Sequence, residues 1–478
     1  MRHFTYRTLN ELQSAAEQLS ARSIRFEHDP ALVREILARK VQVGSVTAGN
    51  SICIHPMEGC DGELDGRPGE LTWRRYERFA RGGAKLIWFE ATAVVEEGRA
   101  NARQLWITAE NVGEFARIQE MIRRVHRESC GRDDDLLVPL QLTHSGRYSY
   151  PRPILGYHNP VVDRKFNTPA DYPVMSDDEL ERLEDAYVRA AQLGIAAGFT
   201  AVDIKVTHGY LICELLGAKQ RTGRYGGPLE NRAQMIRNIC GKIRAACGNG
   251  LMLTMRLGCF DGVPYVKDPS TGLGIPLDYP VPYEHGFGVN PLDPHLEDLT
   301  EVKQVISWAR DWGIELVNVS LGCPYFNPHI GRPFEKPDDG NYEQPEHPLT
   351  GVDRHFRIAG ELQRAFPGLP MVGTGYSWLQ KFAIHAAAAN IADGNIRFFG
   401  IGRNALAYPD FAHDALTLGE LDESRLCKTL TYCTFLMRQK NHPLGQFPTG
   451  CPPFDKAVYG PIVKQAREVK RAAEVKPR

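Results

Sequence analysis

The sequence has no excess of charge of either sign. Its 478 residues include 57 lysines and arginines and 58 aspartates and glutamates, which give a formal net charge of −1. A protein that binds nucleic acid or an acidic membrane surface through charge normally carries a basic excess or a basic stripe. The balance therefore argues against nucleic acid and membrane surfaces as partners.

Long apolar runs are also missing. No uncharged stretch reaches the roughly 18 residues that a membrane-spanning helix needs. The N-terminal segment MRHFTYRTLNELQSAAEQLS lacks the continuous apolar region of a secretory signal peptide. We therefore predict no membrane association and a cytoplasmic location.

The chain has no recognisable disulfide framework. Its eleven cysteines are odd in number, scattered, and mostly placed inside apolar segments. In a chain of this length such cysteines are typical of reduced cytosolic thiols. With 42% hydrophobic and 24% charged residues, the composition is that of an ordinary globular protein. An enzyme-sized protein with a small-molecule substrate is the starting hypothesis.

Short apolar runs alternate along the chain with longer segments of helical periodicity. The strands are near-continuous apolar runs, as parallel strands covered on both faces require. Eight such units favour the α/β class and a (β/α)8, or TIM, barrel, with a doubly wound open sheet as the alternative. The predicted strands are Ser51–Met57, Ala84–Thr92, Leu136–His144, Ala201–Thr207, Leu251–Gly258, Leu316–Gly322, Pro370–Gly375 and Phe398–Arg403.

Three regions fall outside this alternation. Residues 1–45 are predicted to form a helical N-terminal extension, and residues 419–478 a C-terminal appendix. Within the barrel, residues 46–418, the segment 260–295 is too rich in proline and glycine for regular structure. It follows the fifth strand, so we expect a lid-like insertion near the active-site face. The two terminal extensions offer surfaces for self-association, and a homo-oligomer is expected.

Barrel enzymes place their chemistry at the carboxyl ends of the strands. Gly373, Gly375, Gly402 and Arg403 lie after strands seven and eight, where barrels commonly bind phosphate. Glycines let backbone N–H groups approach phosphate oxygens, and arginine adds a charged donor. The alternative is that these glycines only permit tight turns.

The end of the fourth strand carries three ionisable groups within six residues: Lys205, His208 and Tyr210. A lysine or histidine can donate to a developing oxyanion, and a tyrosine hydroxyl can deliver a proton. A single histidine at a strand end is often only a structural hydrogen-bond partner. The cluster favours the catalytic interpretation.

The segments DIKVTHGYLICELL and RTGRYGGPLENR resemble the old yellow enzyme and 2,4-dienoyl-CoA reductase superfamily of FMN-dependent NADH:flavin oxidoreductases. Further matches follow in the family's order: Pro56-Met57 after the first strand, QLTHSGR over residues 141–147, and Gly402-Arg403 after the eighth. The resemblance covers about residues 45–415 and corresponds to a short form without further nucleotide-binding domains.

The resemblance implies a role for each matching residue. Pro56, Met57 and Ala91 would line the isoalloxazine ring, and Gln141 would bind its pyrimidine end. Arg256 would stabilise the anionic reduced flavin, which makes electrostatic sense for hydride uptake. The residues expected to bind FMN are Pro56, Met57, Glu58, Ala91, Gln141, Arg256, Gly373, Gly375, Gly402 and Arg403.

On the substrate side, the resemblance makes Tyr210 the proton donor, while Lys205 and His208 would bind the electron-withdrawing oxygen of the substrate. Tyr325 and His329, after the sixth strand, lie near the position of a substrate histidine in dienoyl-CoA reductases. Aromatic residues there would contact an organic substrate; alternatively, His329 only stabilises a proline-rich loop.

Three features depart from the family. Lys205 stands where old yellow enzymes usually carry histidine. Glu58 follows Pro56-Met57, where a carboxylate would lower the flavin potential or pair with Lys205 or Arg256. In the same loop as Glu58, and as part of this second departure, Cys60 is expected as a buried free thiol rather than a flavin attachment site.

The third departure concerns iron. Dienoyl-CoA reductases carry four cysteine ligands of a [4Fe–4S] cluster after the barrel, whereas here Cys433 and Cys451 remain, with Leu430 and Met437 near the other positions. Leucine cannot ligate iron, so no cluster and no metal site are predicted. Electrons would have to enter directly at FMN.

The predicted function is FMN-dependent transfer of hydride from NAD(P)H, through flavin N5, to an activated C=C bond of a small organic substrate. The alternative is flavin-dependent oxidation, as in an amine dehydrogenase, a demethylase or a desaturase. A barrel kept only as a binding module would yield a colourless protein.

Overall fold

A computed structural model describes residues 3–150, 152–337 and 340–475. Its main sheet is parallel throughout, and its strands fall within or close to the eight segments predicted from sequence. These barrel strands are β1 (Ile52–Ile54), β2 (Leu86–Ile87 and Phe89–Ala93), β3 (Pro139–Thr143), β4 (Ala201–Val206), β5 (Met252–Gly258), β6 (Ile314–Ser320), β7 (Met371–Gly373) and β8 (Phe398–Ile401).

The sheet closes through β2, which is interrupted at Trp88. Its first half pairs with β1, and its second half pairs with β3. Because β1 also pairs with β8, the strand order forms a ring. The (β/α)8 barrel is confirmed, and the open doubly wound sheet is wrong. Every residue of β3, β4 and β5 is buried, which explains their uninterrupted apolar character.

Helices surround this barrel and account for the segments of helical periodicity. Three short 3-10 helices occur at Glu96–Gly98, Gly146–Tyr148 and Tyr376–Phe382. The α-helices are α1 (Leu9–Gln18), α2 (Pro30–Leu37), α3 (Glu70–Arg81), α4 (Val112–Cys130), α5 (Pro160–Phe166), α6 (Asp177–Ala196), α7 (Leu211–Leu216), α8 (Leu229–Arg232), α9 (Gln234–Cys247), α10 (Thr300–Asp311), α11 (Pro328–Gly331), α12 (Pro348–Ala365), α13 (Ala383–Ala392), α14 (Arg403–Ala407), α15 (Phe411–Thr417), α16 (Tyr432–Arg438) and α17 (Lys456–Val475).

The local signals at helix ends operate as the sequence suggests. Ser176 accepts the backbone N–H of Glu179, and the Glu179 carboxylate accepts the N–H of Ser176, a capping box at the start of α6. Gly198, Gly313 and Gly394 have positive φ angles of 83°, 90° and 71° and end their helices.

The N-terminal extension folds onto the barrel rather than standing apart. Leu12, Val33 and Ile36 are buried in the main hydrophobic core. The hairpin of Val41–Val43 and Val46–Ala48 crosses the expected boundary at residue 45. Residues 1 and 2 of the predicted extension lie outside the described residues.

The insertion after β5 contains more order than its composition suggests. Tyr265–Lys267 and Gly274–Pro276 pair as an antiparallel hairpin within residues 260–295. The expectation of no regular structure was therefore wrong for this part. The composition does not predict these strands because they are short. Their backbone N–H and C=O groups bond to each other without any long apolar run.

The C-terminal appendix has a small core of its own. Phe435, Leu436, Phe447 and Tyr459 are buried together there. The carboxylate of Asp455 binds Arg74 at 2.6 Å and Arg78 at 2.7 Å, which attaches the appendix to α3. Residues 476–478 of the predicted appendix lie outside the described residues. Across the described ranges, none of the helices is long and apolar enough to cross a membrane.

Candidate active site

A cavity at the carboxyl ends of the barrel strands collects residues from all eight strand ends. It encloses about 1150 Å³ between protein atoms, including the part open to solvent. Its lining consists of His55, Pro56, Met57, Glu58, Ala91, Gln141, Lys205, His208, Tyr210, Arg256, Ser320, Leu321, Pro324, Tyr325, Gly331, Arg332, Thr374, Gly375, Tyr376, Ser377, Gly400, Gly402, Arg403 and Met437.

All but two of the residues predicted for the site line this cavity. Gly373 is one exception: a Cβ there would lie 2.8 Å from Cγ2 of Ile396, so this glycine serves close packing. Gly373 is the last residue of β7 and is not among the glycines of positive φ, so it serves neither the expected phosphate site nor a tight turn.

His329 is the other exception. It is buried, its Nδ1 lies 2.8 Å from the hydroxyl of Tyr342, and its ring meets Tyr265 edge-on at 4.6 Å. Burial lowers the pKa of His329 to about 4, so the ring is neutral. The structure thus places His329 outside the cavity, where it stabilises the loop after β6.

A polar layer inside the barrel supports the expected pyrimidine end of the flavin. The side-chain amide nitrogen of Gln141 donates to Oδ2 of Asp203 at 2.7 Å, and Thr254 donates to Oδ1 at 3.1 Å. Burial raises the pKa of Asp203 to about 6. Asp203 therefore fixes the orientation of the Gln141 amide, a role that the sequence pattern did not reveal.

Gly375, Gly402 and Arg403, which are expected to bind the FMN phosphate, all line the cavity. Gly375 adopts a φ of 95°, and a Cβ there would lie 2.9 Å from Cβ of His355. A Cβ on Gly402 would lie 2.8 Å from Sδ of Met57. Nη2 of Arg403 donates to the carbonyl of Pro333 at 2.7 Å.

Two buried guanidinium nitrogens indicate whether these residues fit FMN. Nε of Arg256 and Nη1 of Arg403 have no hydrogen-bond partner among the described residues, although each side chain is only 8% exposed. Buried donors are normally satisfied, so the cavity calls for an acceptor at both ends. FMN offers such acceptors in its ring and its phosphate, and the residues therefore fit it.

On the substrate side, the side chains of Lys205, Tyr325 and Glu58 each contact Tyr210. Nζ of Lys205 lies 3.7 Å from the centroid of the Tyr210 ring. The Tyr210 hydroxyl lies 3.1 Å from the hydroxyl of Tyr325 and donates to Oε2 of Glu58 at 3.5 Å. Asn101 donates to Oε1 of Glu58 at 2.9 Å. The strand ends therefore bring the predicted catalytic residues together.

Burial dominates the electrostatics of this cluster. It lowers the pKa of Lys205 to about 8, although the Glu58 carboxylate opposes the shift. Burial raises the pKa of Glu58, and the Lys205 cation opposes that. Burial and the Arg256 charge lower the pKa of His208 well below its usual value, so His208 is a neutral donor or acceptor. Its φ of 66° directs the chain out of β4.

The expected ion pair of Glu58 takes a different form. Among the described residues, Glu58 has no Lys or Arg nitrogen within 4.0 Å, so neither Lys205 nor Arg256 forms a contact ion pair with it. Its oxygens are instead bound by Asn101 and Tyr210. The Glu58 carboxylate raises the pKa of Lys205 by its charge, without a direct contact.

Several residues of the site were not predicted as such. Tyr148 stacks on Tyr325 with ring centroids 3.9 Å apart and planes 12° apart. Arg332 and Met437 line the cavity, and Asn101 fixes Glu58. Tyr148 follows the QLTHSGR match directly, which was its one sequence signal. The others come from loops whose approach to the cavity is a long-range contact.

The cysteines carry no cross-links. All eleven are free, and Cys60 is buried with its sulfur 3.5 Å from Nδ2 of Asn101, as predicted for a buried thiol. In the described ranges there is no group of three or more His, Cys, Asp or Glu residues arranged to hold a metal ion.

Comparisons with known proteins agree with the resemblance found in the sequence. Residues 38–270 match the NADH:flavin oxidoreductase / NADH oxidase family. The NADPH dehydrogenase of Halalkalibacterium halodurans is 27% identical over 289 residues, which cover 59% of this chain and 71% of the relative.

Two solved structures share the fold. A 2-naphthoyl-CoA reductase complex superposes with a TM-score of 0.63 at 16% identity, covering 84% of this chain. The chain spans only 55% of that reductase. The old yellow enzyme homologue from Zymomonas mobilis gives a TM-score of 0.56 at 20% identity, covering 81% of this chain and 94% of the homologue.

The family match and the relatives confirm the predicted resemblance, and with it a flavin-dependent oxidoreductase that uses FMN. The fold and the residues that line the cavity agree with that assignment. The chain is similar to the old yellow enzyme superfamily of FMN-dependent NADH:flavin oxidoreductases, as the sequence resemblance predicts.

Proposed function

We propose that this protein reduces the activated C=C bond of a small organic substrate with electrons from NADH or NADPH. The observation that carries the proposal is the meeting of Lys205, Tyr210 and Tyr325 in the cavity that also contains the FMN-binding residues. FMN, when bound, supplies hydride transfer in both directions, from nicotinamide and to the alkene.

Lys205 and His208 bind the oxygen that activates the alkene. A protonated Lys205 stabilises the negative charge that develops on this oxygen, and its low exposure strengthens the effect because water is excluded. His208 is neutral and donates a hydrogen bond from its ring. The pair therefore combines one charged and one uncharged donor.

Tyr210 holds the proton for the α-carbon of the substrate. Burial raises the pKa of Tyr210 well above its usual value, so its hydroxyl stays protonated at neutral pH. The hydroxyl of Tyr325, 3.1 Å away, stabilises the oxygen after transfer. The nearby Lys205 cation acts in the same direction.

The experiment uses the purified holoprotein in two anaerobic half-reactions. NADH or NADPH is expected to bleach the flavin absorbance, and 2-cyclohexen-1-one is expected to restore it within the turnover time. Bleaching without reoxidation by any tested enone or dienoyl ester would contradict the proposal.

A second function is favoured by one observation, the carboxylate of Glu58 next to Tyr210. A carboxylate base at this point suits oxidation of an amine, where a proton must leave the substrate nitrogen. Bleaching of the flavin by an amine alone, with no response to NADH or NADPH, would select this function.

The location and the assembly of the protein stay proposals. We propose a cytoplasmic homo-oligomer with a small-molecule substrate and no nucleic-acid or membrane partner. The near-neutral net charge and the extensions at both ends of the barrel support this. Light scattering during size-exclusion chromatography measures the oligomeric state directly.

A further inference from the structure

Met437 reaches the cavity from outside the eight barrel units. It belongs to α16 in the C-terminal appendix and lines the cavity together with the strand-end residues. Its side chain is half-buried, whereas the neighbouring Phe435 and Leu436 are 4% and 0% exposed. One face of α16 is therefore anchored in the appendix core, and Met437 lies at the cavity wall.

Two side-chain contacts attach α16 to the loop that carries Tyr325. Arg332 donates to Oγ1 of Thr434 at 2.5 Å. Arg438 donates to the backbone carbonyl of Pro324. Thr434 and Arg438 lie on either side of Met437 in α16. The two contacts therefore fix the position of this helix relative to the substrate side of the cavity.

A third contact ties the appendix to the loop after β1. The backbone N–H of Thr449 donates to the carbonyl of Gly59 at 2.7 Å, directly after Glu58. The appendix thus touches both the loop after β1 and the loop after β6. These two loops contribute Glu58 and Tyr325 to the site.

We propose that α16 forms the roof of the acceptor pocket and that Met437 limits the size of the acceptor. Leu321, Pro324, Tyr325 and Met437 give this part of the wall an apolar and aromatic surface. Such a surface packs against the carbon skeleton of an unsaturated carbonyl compound, and the flexible thioether packs against its substituents. The inference rests on the proposed function, since it concerns the acceptor of that reaction.

The test compares two acceptors in steady-state and stopped-flow assays: 2-cyclohexen-1-one, which has no substituent, and carvone, which adds a methyl and an isopropenyl group to the same ring. Met437→Ala is expected to raise kcat/KM for carvone relative to cyclohexenone by about tenfold, and Met437→Phe to lower the ratio by a similar factor. Lys440→Ala, an exposed position just beyond α16, is the matched control and should leave the ratio unchanged.

The proposal is contradicted if both Met437 variants keep the wild-type ratio of kcat/KM for carvone to kcat/KM for cyclohexenone, at wild-type flavin content and melting temperature. If Met437→Ala loses its flavin, the Met437→Phe ratio decides. If the wild-type protein reduces neither acceptor, the proposed function fails separately. In that case, flavin difference spectra of the oxidised holoprotein measure the dissociation constants of both compounds. If the Met437 variants leave the ratio of these two constants unchanged, the proposed role of Met437 is contradicted.

Discussion

The hydroxyl of Tyr210 lies 3.5 Å from a carboxylate oxygen of Glu58, with the Tyr325 hydroxyl 3.1 Å away on another side. Glu58 follows β1, Tyr210 follows β4, and Tyr325 follows β6. Three separate strand ends therefore contribute to the environment of the Tyr210 hydroxyl, which holds the proton. Hydrogen bonding to a buried carboxylate keeps the tyrosine proton in place until a substrate carbon offers a better acceptor.

Removing this hydroxyl should separate the two half-reactions. Tyr210→Phe is expected to slow the reoxidation of the flavin by 2-cyclohexen-1-one about 100-fold, because the α-carbon loses its proton donor. Bleaching by NADH or NADPH involves no proton on this carbon and should change little. Stopped-flow absorbance measures both rates, and equal slowing of the two would contradict the role of Tyr210.

The charge of Lys205 should set an alkaline limit on the reaction. Burial lowers the pKa of Lys205 to about 8, so the ammonium that holds the substrate oxygen is present below this pH and lost above it. We expect kcat/KM for the enone to fall about tenfold per pH unit above pH ~8.

Glu58→Gln provides the matching test of the same limit. The Glu58 carboxylate raises the pKa of Lys205, and the amide keeps an acceptor for Tyr210 but removes the charge. The alkaline limb of the pH profile should therefore move to lower pH in this variant. A limb that stays in place assigns the titration to a group other than Lys205.

The backbone at the phosphate end should tolerate no side chain. Gly375→Ala places a Cβ 2.9 Å from Cβ of His355 at a φ of 95°, so the turn must shift. We expect the FMN dissociation constant to rise at least about tenfold, equivalent to ~1.4 kcal/mol. Fluorescence of released flavin measures it. Gly368→Ala, which has no neighbour within 4 Å of the new Cβ, should bind FMN like the wild type.

A buried ion network holds the loop that contains Glu58. Arg75 pairs with Asp61 and Glu90, each at 2.5 Å, and Glu90 accepts the backbone N–H of Gly59 at 2.7 Å. Arg75→Met leaves two carboxylates buried without their cation. We expect the free energy of unfolding to fall by about 3–5 kcal/mol in urea titrations.

The same helix supplies the control for this prediction. Arg81 pairs with Glu77 at the surface of α3, where its side chain is 62% exposed. Arg81→Met should change the free energy of unfolding by less than about 0.5 kcal/mol. Equal losses in the two variants would show that the effect comes from the helix and not from the buried network.

The sequence by itself determined the barrel and most of the cofactor site. Parallel strands covered on both faces must be apolar throughout, so a local run of apolar residues is enough to predict each strand. The carboxyl ends of those strands necessarily meet, which brought Gln141, Lys205, Arg256 and Arg403 into one cavity before any distance was known.

Only the tertiary structure decided which polar groups touch. His329 and Met437 are the clearest examples: the predicted substrate histidine packs against Tyr342, whereas a methionine noted only as a non-ligand lines the cavity. Loops and the appendix have no periodicity that fixes their path, and their positions follow from contacts with residues distant in the chain. A local pattern specifies secondary structure, but such contacts depend on the whole folded molecule.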